Sequence, residues 1–429
     1  MPLDQVARLL LALVVIVVSA RLCGVLARRL GQPAVIGEIV GGIMLGPTLA
    51  GGILTRALFP TEIMPTLSAL ADVGVCVFMF LVGLHLDDRL LRGQGRIATT
   101  VSVGAIVLPF CLGVLLALYL VGRHPTDNPL AFVLFLGIAM SITAFPVLAR
   151  ILTDKGLIDT PIGGLALASA ALGDVLAWAL LAVVVAVADG GGEPWRVLLV
   201  VPFAALMLKV VRPRLARWAR RRPPRGAAAA AGVLAGGAIG LFLSAAATEW
   251  MGLHAIFGAF LFGVVVPRAG AGSPRGKALS WIERGNALVL LPVFFVVAGV
   301  HVDLSNLDGV ALGELALILV VAIGGKLVGG FTGARIAGVR PRHSAVLAIL
   351  INTRGLTELI VLAVGLQLGV LDQSLYSLMV VMALVTTGMA GVLLRVVYPP
   401  ARVREDLAAR DADAEPVGRR EPERKEPAS

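Results

Sequence analysis

Charged residues are scarce in this sequence, where they make up 15% of the 429 residues, and aromatic residues account for only 5%. A soluble domain is nearer a quarter charged, so the composition excludes a soluble enzyme. Motifs typical of catalytic and cofactor sites are missing as well. The sequence has no phosphate-binding loop, no nucleophile triad, no zinc-ligand spacing and no dinucleotide-binding fingerprint. We predict that the chain is not an enzyme and that it needs no cofactor.

Cysteine is rare too. Cys23, Cys76 and Cys111 lie in separate apolar segments, without a CxxC pair and without a histidine beside them. A disulfide framework or a cysteine metal site would need closer or paired spacings. We therefore interpret all three cysteines as packing residues.

Apolar residues dominate instead, with 58% of the chain hydrophobic and a mean hydropathy of +0.92. Apolar runs of about 18 residues or more recur from end to end, long enough for a helix to cross a hydrocarbon core of about 30 Å. We predict an all-α polytopic membrane protein with about 13 transmembrane helices. The predicted spans are 6–25, 33–50, 66–84, 97–121, 130–152, 160–188, 195–211, 227–249, 252–267, 285–301, 309–335, 343–369 and 373–397.

Lysine and arginine are unevenly distributed between the loops. The formal net charge is +10, yet the N-terminus and every second loop together hold only Arg8, Arg56, Arg123 and Arg196. Basic residues collect in the cytoplasmic loops of membrane proteins. We therefore predict a multi-pass protein of the plasma (inner) membrane, with the N-terminus outside and the C-terminus cytoplasmic. The same bias explains the positive charge without a nucleic acid partner.

Two polar segments stand outside the predicted spans. Loop 209–225 carries eight basic residues at the midpoint of the chain, and we interpret it as a cytoplasmic orientation anchor; a specific lipid-binding patch is the alternative. Residues 402–429 are charged and rich in Ala and Pro, which predicts a disordered cytoplasmic tail. The membrane transport domain is expected to occupy residues 1–401, in contact with membrane lipid.

Ionisable side chains within the spans are the informative positions, because a charge in mid-bilayer costs several kcal/mol. Asp174 lies well inside the sixth span, where a carboxyl group could hold either a proton or a metal cation. A structural ion pair is the alternative. Lys326 is the only lysine within a span, and a lone buried ammonium needs a partner. We propose Asp174 as that partner.

A second polar cluster lies in the twelfth predicted span. Arg354 and Glu358 are four residues apart, which places them on one helix face where they can neutralise each other. Asn352 and Thr353 precede them in the same apolar segment. Such a cluster is typical of an interrupted helix whose freed backbone groups face a cavity.

A matching interruption is expected in the fifth span, at Ser141, Thr143 and Pro146, because Pro146 lacks a backbone donor. The fifth and twelfth spans hold corresponding positions in two halves of the chain, residues 6–188 and 227–397. The predicted span 195–211 and the basic loop connect these two halves. Interrupted helices at matching positions indicate a transport site near the midplane. With six spans each and an odd connector, the halves are predicted to be inverted repeats.

Glu38 lies near the inner end of the second predicted span, among closely spaced glycines. Support of helix packing, or a basic partner, explains it better than ion transport. We class it with Pro146, Arg354 and Glu358 as a structural residue.

Four stretches together resemble the monovalent cation:proton antiporter superfamily, in its Kef-like and plant CHX-like branch. The similarity covers about residues 5–398, and the motifs are specific when they occur in this order. They are LGQPAVIGEI at 30–39 with LGP at 45–47, FLVGL at 80–84, TAFPVLAR at 143–150 followed by Gly173 and Asp174, and NTRGLTE at 352–358.

The resemblance implies a 13-helix fold of two inverted repeats, a homodimer, and two broken helices that cross beside the ion-binding aspartate. It assigns Asp174 as the carrier of the transported cation, with Ser141 and Thr143 lining the crossing and Lys326 as the basic partner. Asn352, Thr353, Arg354 and Glu358 would belong to the second broken helix. Related Kef-like proteins often carry a C-terminal nucleotide-binding domain, and none is expected in this chain.

The sequence departs from the family at Gly173, where relatives carry Asp, Asn or Gln before the aspartate. One carboxylate predicts one-for-one, electroneutral exchange of K⁺ or Na⁺ for H⁺, and the 143–150 stretch favours K⁺. A channel-like efflux module and a non-transporting ion sensor are the two alternative functions.

Overall fold

The computed structural model describes residues 3–48, 52–85, 95–157, 160–188, 196, 198–221, 227–267, 274–305, 308–399 and 402. In these parts the chain is helical and contains no strand, as the hydropathy pattern predicts. The predicted disordered tail lies outside the described residues, apart from Arg402.

The first half contains eight α-helices, each apolar enough to pack against lipid or protein. Their bounds are α1 Leu3–Arg29, α2 Ala34–Leu45, α3 Ile53–Leu58, α4 Met64–His85, α5 Gly95–Leu120, α6 Pro129–Ser141, α7 Phe145–Asp154 and α8 Pro161–Ala188. The short helix α3 follows the second predicted span and was not expected from the hydropathy pattern.

The connector and the second half add ten more helices to the described part of the chain. They are α9 Val200–Leu206, α10 Arg212–Arg221, α11 Ala227–Trp250, α12 Ala255–Val265, α13 Pro274–Gly285, α14 Leu291–Val300, α15 Gly309–Ile336, α16 Pro341–Ile351, α17 Leu356–Gln367 and α18 Gln373–Val397. One π-helical segment, Met207–Val211, joins α9 to α10, and another, Asn286–Leu290, joins α13 to α14.

Each predicted span coincides with a helix or with a broken pair of helices. Seven helices of the described chain are long and apolar enough to cross a membrane, and the pair α16–α17, bent by 44° at its break, brings the number to eight. Four of the remaining predicted spans fall on shorter apolar helices of the described chain, and span 195–211 falls on α9 and the π-helical segment that follows it. The segment 212–221 within the predicted basic loop is helical rather than irregular, because helix α10 continues from the π-helical segment.

The spans pack into two groups, and each half of the chain contributes three spans to each group. Helices α1, α2, α4, α11, α12 and α14 pack on one another, while α5, α6, α8, α15, α16 and α18 form the second group. We call them the first and the second helix group. The inverted relation between halves 6–188 and 227–397 stays a prediction. The second group holds the ionisable residues Asp174, Lys326, Arg354 and Glu358.

Glycine allows the closest helix contacts, as the spacing around Glu38 suggested. A Cβ atom on Gly42 would lie 2.6 Å from the carbonyl oxygen of Val296, and a Cβ on Gly37 would overlap the backbone of Cys23. Helices α1, α2 and α14 therefore meet backbone to backbone. Among the described residues Cys23, Cys76 and Cys111 are free thiols: Cys76 is buried and Cys23 half-buried, whereas Cys111 is exposed, so its interpretation as a packing residue stays a prediction.

Candidate ion-binding site at two broken helices

The fifth predicted span is broken where the sequence placed an interruption. Helix α6 ends at Ser141, Ile142 is extended with φ −66° and ψ 142°, and α7 begins at Phe145. Pro146 is the second residue of α7, where its missing N–H has no intrahelical acceptor to lose. The interruption is confirmed, and it leaves the last carbonyl groups of α6 in need of other donors.

The twelfth span is broken at the predicted polar cluster. Asn352 caps the end of α16, and Gly355 precedes α17. A Cβ on Gly355 would lie 2.5 Å from the Cγ2 atom of Val147, so this position must be glycine for α17 to approach α7. The break therefore depends on packing between the two interrupted spans.

The two breaks contact each other directly. The backbone N–H of Ala144 donates a hydrogen bond to the carbonyl oxygen of Thr353 at 3.1 Å. The hydroxyl of Thr143 donates to the carbonyl oxygen of Ile351, also at 3.1 Å. Residues about 210 positions apart thus satisfy each other's freed backbone groups, as buried peptide groups must be satisfied inside a membrane.

Arg354, which belongs to the other broken span, donates hydrogen bonds to the last carbonyl groups of α6. Its guanidinium donates to the carbonyl oxygens of Ala139 and Met140, at 2.6 Å each, and its Nη1 atom lies 2.8 Å from Oε2 of Glu358. Both Arg354 and Glu358 are fully buried. The predicted pairing of these two residues is confirmed. The cation also faces the negative end of the α6 dipole, which favours it there.

Lys326 provides the other donor at this end of α6. It is fully buried on α15, and its ammonium donates to the carbonyl oxygen of Ser141 and to the hydroxyl oxygen of Thr143, the latter at 2.6 Å. A buried ammonium is tolerated only where several acceptors surround it. Ser141 and Thr143 therefore supply the acceptors for the lysine side chain in this structure.

Asp174 lies halfway along α8 and is 3% exposed, yet neither of its carboxylate oxygens has a hydrogen-bond partner among the described residues. The backbone N–H of Phe145, at the start of α7, is directed at this carboxylate without reaching hydrogen-bonding geometry. The ion pair proposed between Asp174 and Lys326 is not formed in the described chain. The prediction was wrong in that respect because the end of α6 attracts the lysine.

Space remains beside Asp174. A Cβ atom added to Gly173 would meet no atom within 4 Å, although Gly173 is itself buried. At the break between α16 and α17, the buried amide of Asn352 and the buried hydroxyl of Thr357 also have no hydrogen-bond partner among the described residues. Unsatisfied buried polar groups are rare and often mark a site for an ion or for water.

Glu38 is not part of this crossing. It lies on α2 in the first helix group, and a Cβ on Gly24 of α1 would lie 3.5 Å from its Oε1 atom. Its position between α1 and α2 agrees with a role in helix packing.

Thr387 on α18 is a site residue that the sequence analysis missed. Its hydroxyl lies 3.2 Å from the backbone nitrogen of Arg354 and 2.7 Å from its carbonyl oxygen. Thr387 thus holds the backbone at the break before α17. The only sequence signal was a pair of threonines, Thr386 and Thr387, within an otherwise apolar span.

Comparison with known proteins places this arrangement in a family. The family described as sodium/hydrogen exchanger, transmembrane, matches residues 15–398. The chain belongs to the sodium/hydrogen exchanger family. The chain is 38% identical over 403 residues to the Na⁺/H⁺ antiporter NhaS4 of Synechocystis sp. (strain PCC 6803), with 91% of this chain and 97% of that relative covered.

The eukaryotic relatives are longer than this chain. It is 39% identical to cation/H⁺ antiporter 20 of Arabidopsis thaliana, over 90% of this chain and 48% of that protein. It is 32% identical to K⁺/H⁺ antiporter 1 of Saccharomyces cerevisiae, over 86% of this chain and 44% of the yeast protein. The chain therefore spans about half the length of these relatives. The predicted resemblance to monovalent cation:proton antiporters of the CHX-like branch is confirmed.

The fold is shared with a solved antiporter. The sodium proton antiporter MjNhaP1 from Methanocaldococcus jannaschii at pH 8 superposes with a TM-score of 0.64, covering 94% of this chain and 99% of that chain at 15% identity. The predicted class, an all-α polytopic membrane protein of about 13 helices, agrees with this similarity. At such low identity the similarity concerns the fold alone.

Proposed function

We propose that this exchanger is a secondary active antiporter that exchanges a monovalent cation for H⁺ by alternating access, with Asp174 as the shared carrier. One observation carries the proposal: a fully enclosed carboxylate without a hydrogen-bond partner in the described chain, beside two broken helices that contact each other. Such a carboxyl group can take up either a proton or a cation, and competition for one group couples the two fluxes.

The role of Lys326 in the mechanism follows from the two oxygens to which its ammonium donates hydrogen bonds. Its ammonium binds the Ser141 carbonyl and the Thr143 hydroxyl, which are the hard oxygen ligands that an alkali cation uses. In the proposed cycle, the incoming cation binds Asp174 and displaces the lysine from Thr143. When the cation leaves, Lys326 returns to these oxygens and Asp174 takes up a proton. Lys326 thus stands in for the cation between two transport events.

Stoichiometry and selectivity follow from the same residues. Asp174 is the one carboxylate beside the crossing apart from Glu358, which Arg354 neutralises. One cation for one proton gives an electroneutral exchange. We propose K⁺ over Na⁺, supported by the resemblance of the 143–150 stretch to the potassium branch and by the yeast relative described as a K⁺/H⁺ antiporter. The cyanobacterial relative described as a Na⁺/H⁺ antiporter makes Na⁺ the competing choice.

We further propose that the exchanger works as a homodimer in the plasma (inner) membrane, with its N-terminus outside. The concentration of lysine and arginine in alternate loops supports this orientation. The family resemblance supports the dimer.

Proton flux into proteoliposomes tests the proposed function. Purified wild type, Asp174→Asn and Glu38→Gln are reconstituted with a pH dye inside, and Na⁺ or K⁺ is added outside with and without valinomycin. We expect a cation-dependent pH change that is lost in Asp174→Asn, retained in Glu38→Gln and unaffected by clamping the potential. Glu38→Gln is the matched control because it removes a carboxylate from a span outside the crossing. Exchange that persists in Asp174→Asn would contradict the carrier role.

A further inference from the structure

A second ionisable cluster lies far from the crossing, in the second helix group. Both ring nitrogens of His124 face carboxylates: Nδ1 is 2.9 Å from Oδ2 of Asp372, and Nε2 is 3.2 Å from Oε2 of Glu314. The side chains of His124 and Glu314 are 6% and 8% exposed, and that of Asp372 is 24% exposed. We call these three residues the His124 cluster.

The His124 cluster ties together three elements that also build the crossing. His124 lies in the loop between α5 and α6, Glu314 lies near the start of α15, and Asp372 caps α18 by accepting the backbone N–H of Leu375 at 2.8 Å. Helix α6 ends at Ser141, α15 carries Lys326, and α18 carries Thr387. A change in the cluster therefore acts on the far ends of the elements that position the crossing.

The cluster is separate from the crossing in space. Glu314 and Lys326 lie on the same helix, α15, twelve residues apart, which corresponds to about 18 Å along the axis at 1.5 Å per residue. The cluster lies at the end of the bundle opposite the basic loops, because the loop at 122–128 is one of those with few lysines and arginines. The cluster therefore faces the compartment opposite the basic loops.

Protonation decides how many hydrogen bonds His124 can donate. An imidazolium donates from both nitrogens, while a neutral imidazole donates from one only. Charged His124 therefore bridges Asp372 and Glu314, and neutral His124 must release one of them. Arg123, in the same loop, also faces Glu314, with Nη1 3.5 Å from Oε1, and rests over the ring of Tyr119 at 4.5 Å. Glu314 keeps a cationic neighbour when the bridge opens, whereas Asp372 keeps only its cap.

The charges in the cluster favour the bridging state. Burial acts to lower the pKa of His124, but the hydrogen bonds and charges of Asp372 and Glu314 outweigh it, so this pKa lies above its ordinary value. Burial acts to raise the pKa of Asp372, but the hydrogen bonds from His124 and from the Leu375 backbone outweigh it, so this pKa lies below its ordinary value. Both directions are those of a charged pair.

We propose that His124, Glu314 and Asp372 form a second proton-binding site, distinct from Asp174, which clamps the loop before α6 to α15 and α18. At acidic pH on its side of the membrane the site is protonated and the clamp is closed. At alkaline pH the bridge opens and the end of the second helix group loosens. The site thus adjusts the rate of exchange to the pH of that compartment without carrying the transported proton.

Stability measured against pH tests the clamp without any transport assay. Wild type, His124→Gln and the control His254→Asn are purified, and their melting temperatures are measured from about pH 5 to about pH 9, a range that spans the ordinary histidine pKa. His254 is a suitable control because it caps α12 in the first helix group. A folded-state pKa above the unfolded one stabilises at low pH, and this contribution disappears as the pH rises through the folded-state value.

We therefore expect His124→Gln to melt well below wild type at acidic pH and to converge with it at alkaline pH, while His254→Asn shows no such trend. A difference that is the same at every pH would overturn the proposal and leave a merely structural histidine. If His124→Gln does not fold, Asp372→Asn provides the test, because Asn keeps the cap of α18. It should move the pH dependence of wild-type stability to lower pH, and an unmoved curve would overturn the proposal.

Transport provides the second readout, which rests on the proposed function. Exchange is measured with the pH on the cluster side varied and the pH on the other side fixed. We expect the rates of wild type and His124→Gln to differ at acidic pH and to coincide at alkaline pH; parallel profiles would contradict a regulatory site. If wild type shows no exchange at all, the proposed function fails. The stability measurement then still shows whether the His124 cluster forms a pH-dependent clamp.

Discussion

The ammonium of Lys326 donates a hydrogen bond to the hydroxyl of Thr143 at 2.6 Å and leaves the carboxylate of Asp174 without a partner in the described chain. An acidic and a basic side chain are thus buried in one helix group without a hydrogen bond between them. The end of α6 explains the choice, because its terminal carbonyl groups attract the ammonium and need donors. In the proposed cycle, this arrangement leaves Asp174 available for the cation or the proton.

Replacing Lys326 tests whether it competes with the cation. Lys326→Gln should lower the apparent KM for the transported cation about tenfold, equivalent to ~1.4 kcal/mol, because the Ser141 and Thr143 oxygens no longer bind an ammonium. Thr143→Val removes one of these oxygens and should raise the KM instead. Initial rates of exchange in proteoliposomes give both values. A KM that rises in both variants would mean that Lys326 helps to bind the cation.

Arg354 is expected to matter most for stability. Arg354→Ala leaves Glu358 buried without its cation and removes the donors for Ala139 and Met140, and breaking a buried pair costs about 3–5 kcal/mol. We expect a large fall in melting temperature in detergent. The double variant Arg354→Met with Glu358→Met should recover part of this loss, since it leaves no unpaired charge. A double variant no more stable than Arg354→Ala would show that the loss comes from the carbonyl contacts, which both variants lack, and not from the unpaired charge of Glu358.

The space beside Asp174 predicts that Gly173 tolerates a larger residue. Gly173→Asn should fold like wild type, because its Cβ meets no atom within 4 Å. We expect its amide to reach the ion that binds at Asp174, and one hydrogen bond contributes about 1 kcal/mol. The ratio of the KM values for Na⁺ and K⁺ should therefore change about 3- to 10-fold, given about 1.4 kcal/mol per tenfold.

Gly42, where a neighbouring helix leaves no room for a Cβ atom, provides the matched control for Gly173. Gly42→Ala would place its Cβ 2.6 Å from the carbonyl oxygen of Val296, and it should lower the melting temperature or prevent insertion. If Gly42→Ala and Gly173→Asn were equally stable, close helix contacts at a glycine would not determine whether that glycine can be replaced. An unchanged ratio of KM values in Gly173→Asn would mean that position 173 does not face the cation.

The sequence is informative where a local rule applies. The bilayer requires long apolar helices, so each predicted span coincides with a helix or a broken pair. The pairing of Arg354 with Glu358 follows from helical spacing. The hydrogen-bond partners of Lys326 could not be predicted from sequence spacing, because they depend on which face of α15 packs against the end of α6.

Tertiary structure also brings together residues that no local pattern connects. Thr387 lies 33 positions from Arg354, and His124, Glu314 and Asp372 come from three separate parts of the chain. In the sequence, His124 was only a loop histidine without a metal-ligand neighbour. Such sites arise from packing between distant elements, so composition and spacing cannot reveal them.

The ion pair between His124 and Asp372 should have its full strength only between two pH limits. The depressed pKa of Asp372 means that its contribution to stability is lost as the pH falls through the folded-state pKa. The raised pKa of His124 means that its contribution is lost as the pH rises through that value. A double-mutant cycle with His124→Gln and Asp372→Asn should therefore show a coupling of roughly 0.5–3 kcal/mol near neutral pH. The coupling should shrink towards zero at both extremes, and a coupling that persists at alkaline pH would show that neutral His124 holds Asp372 equally well.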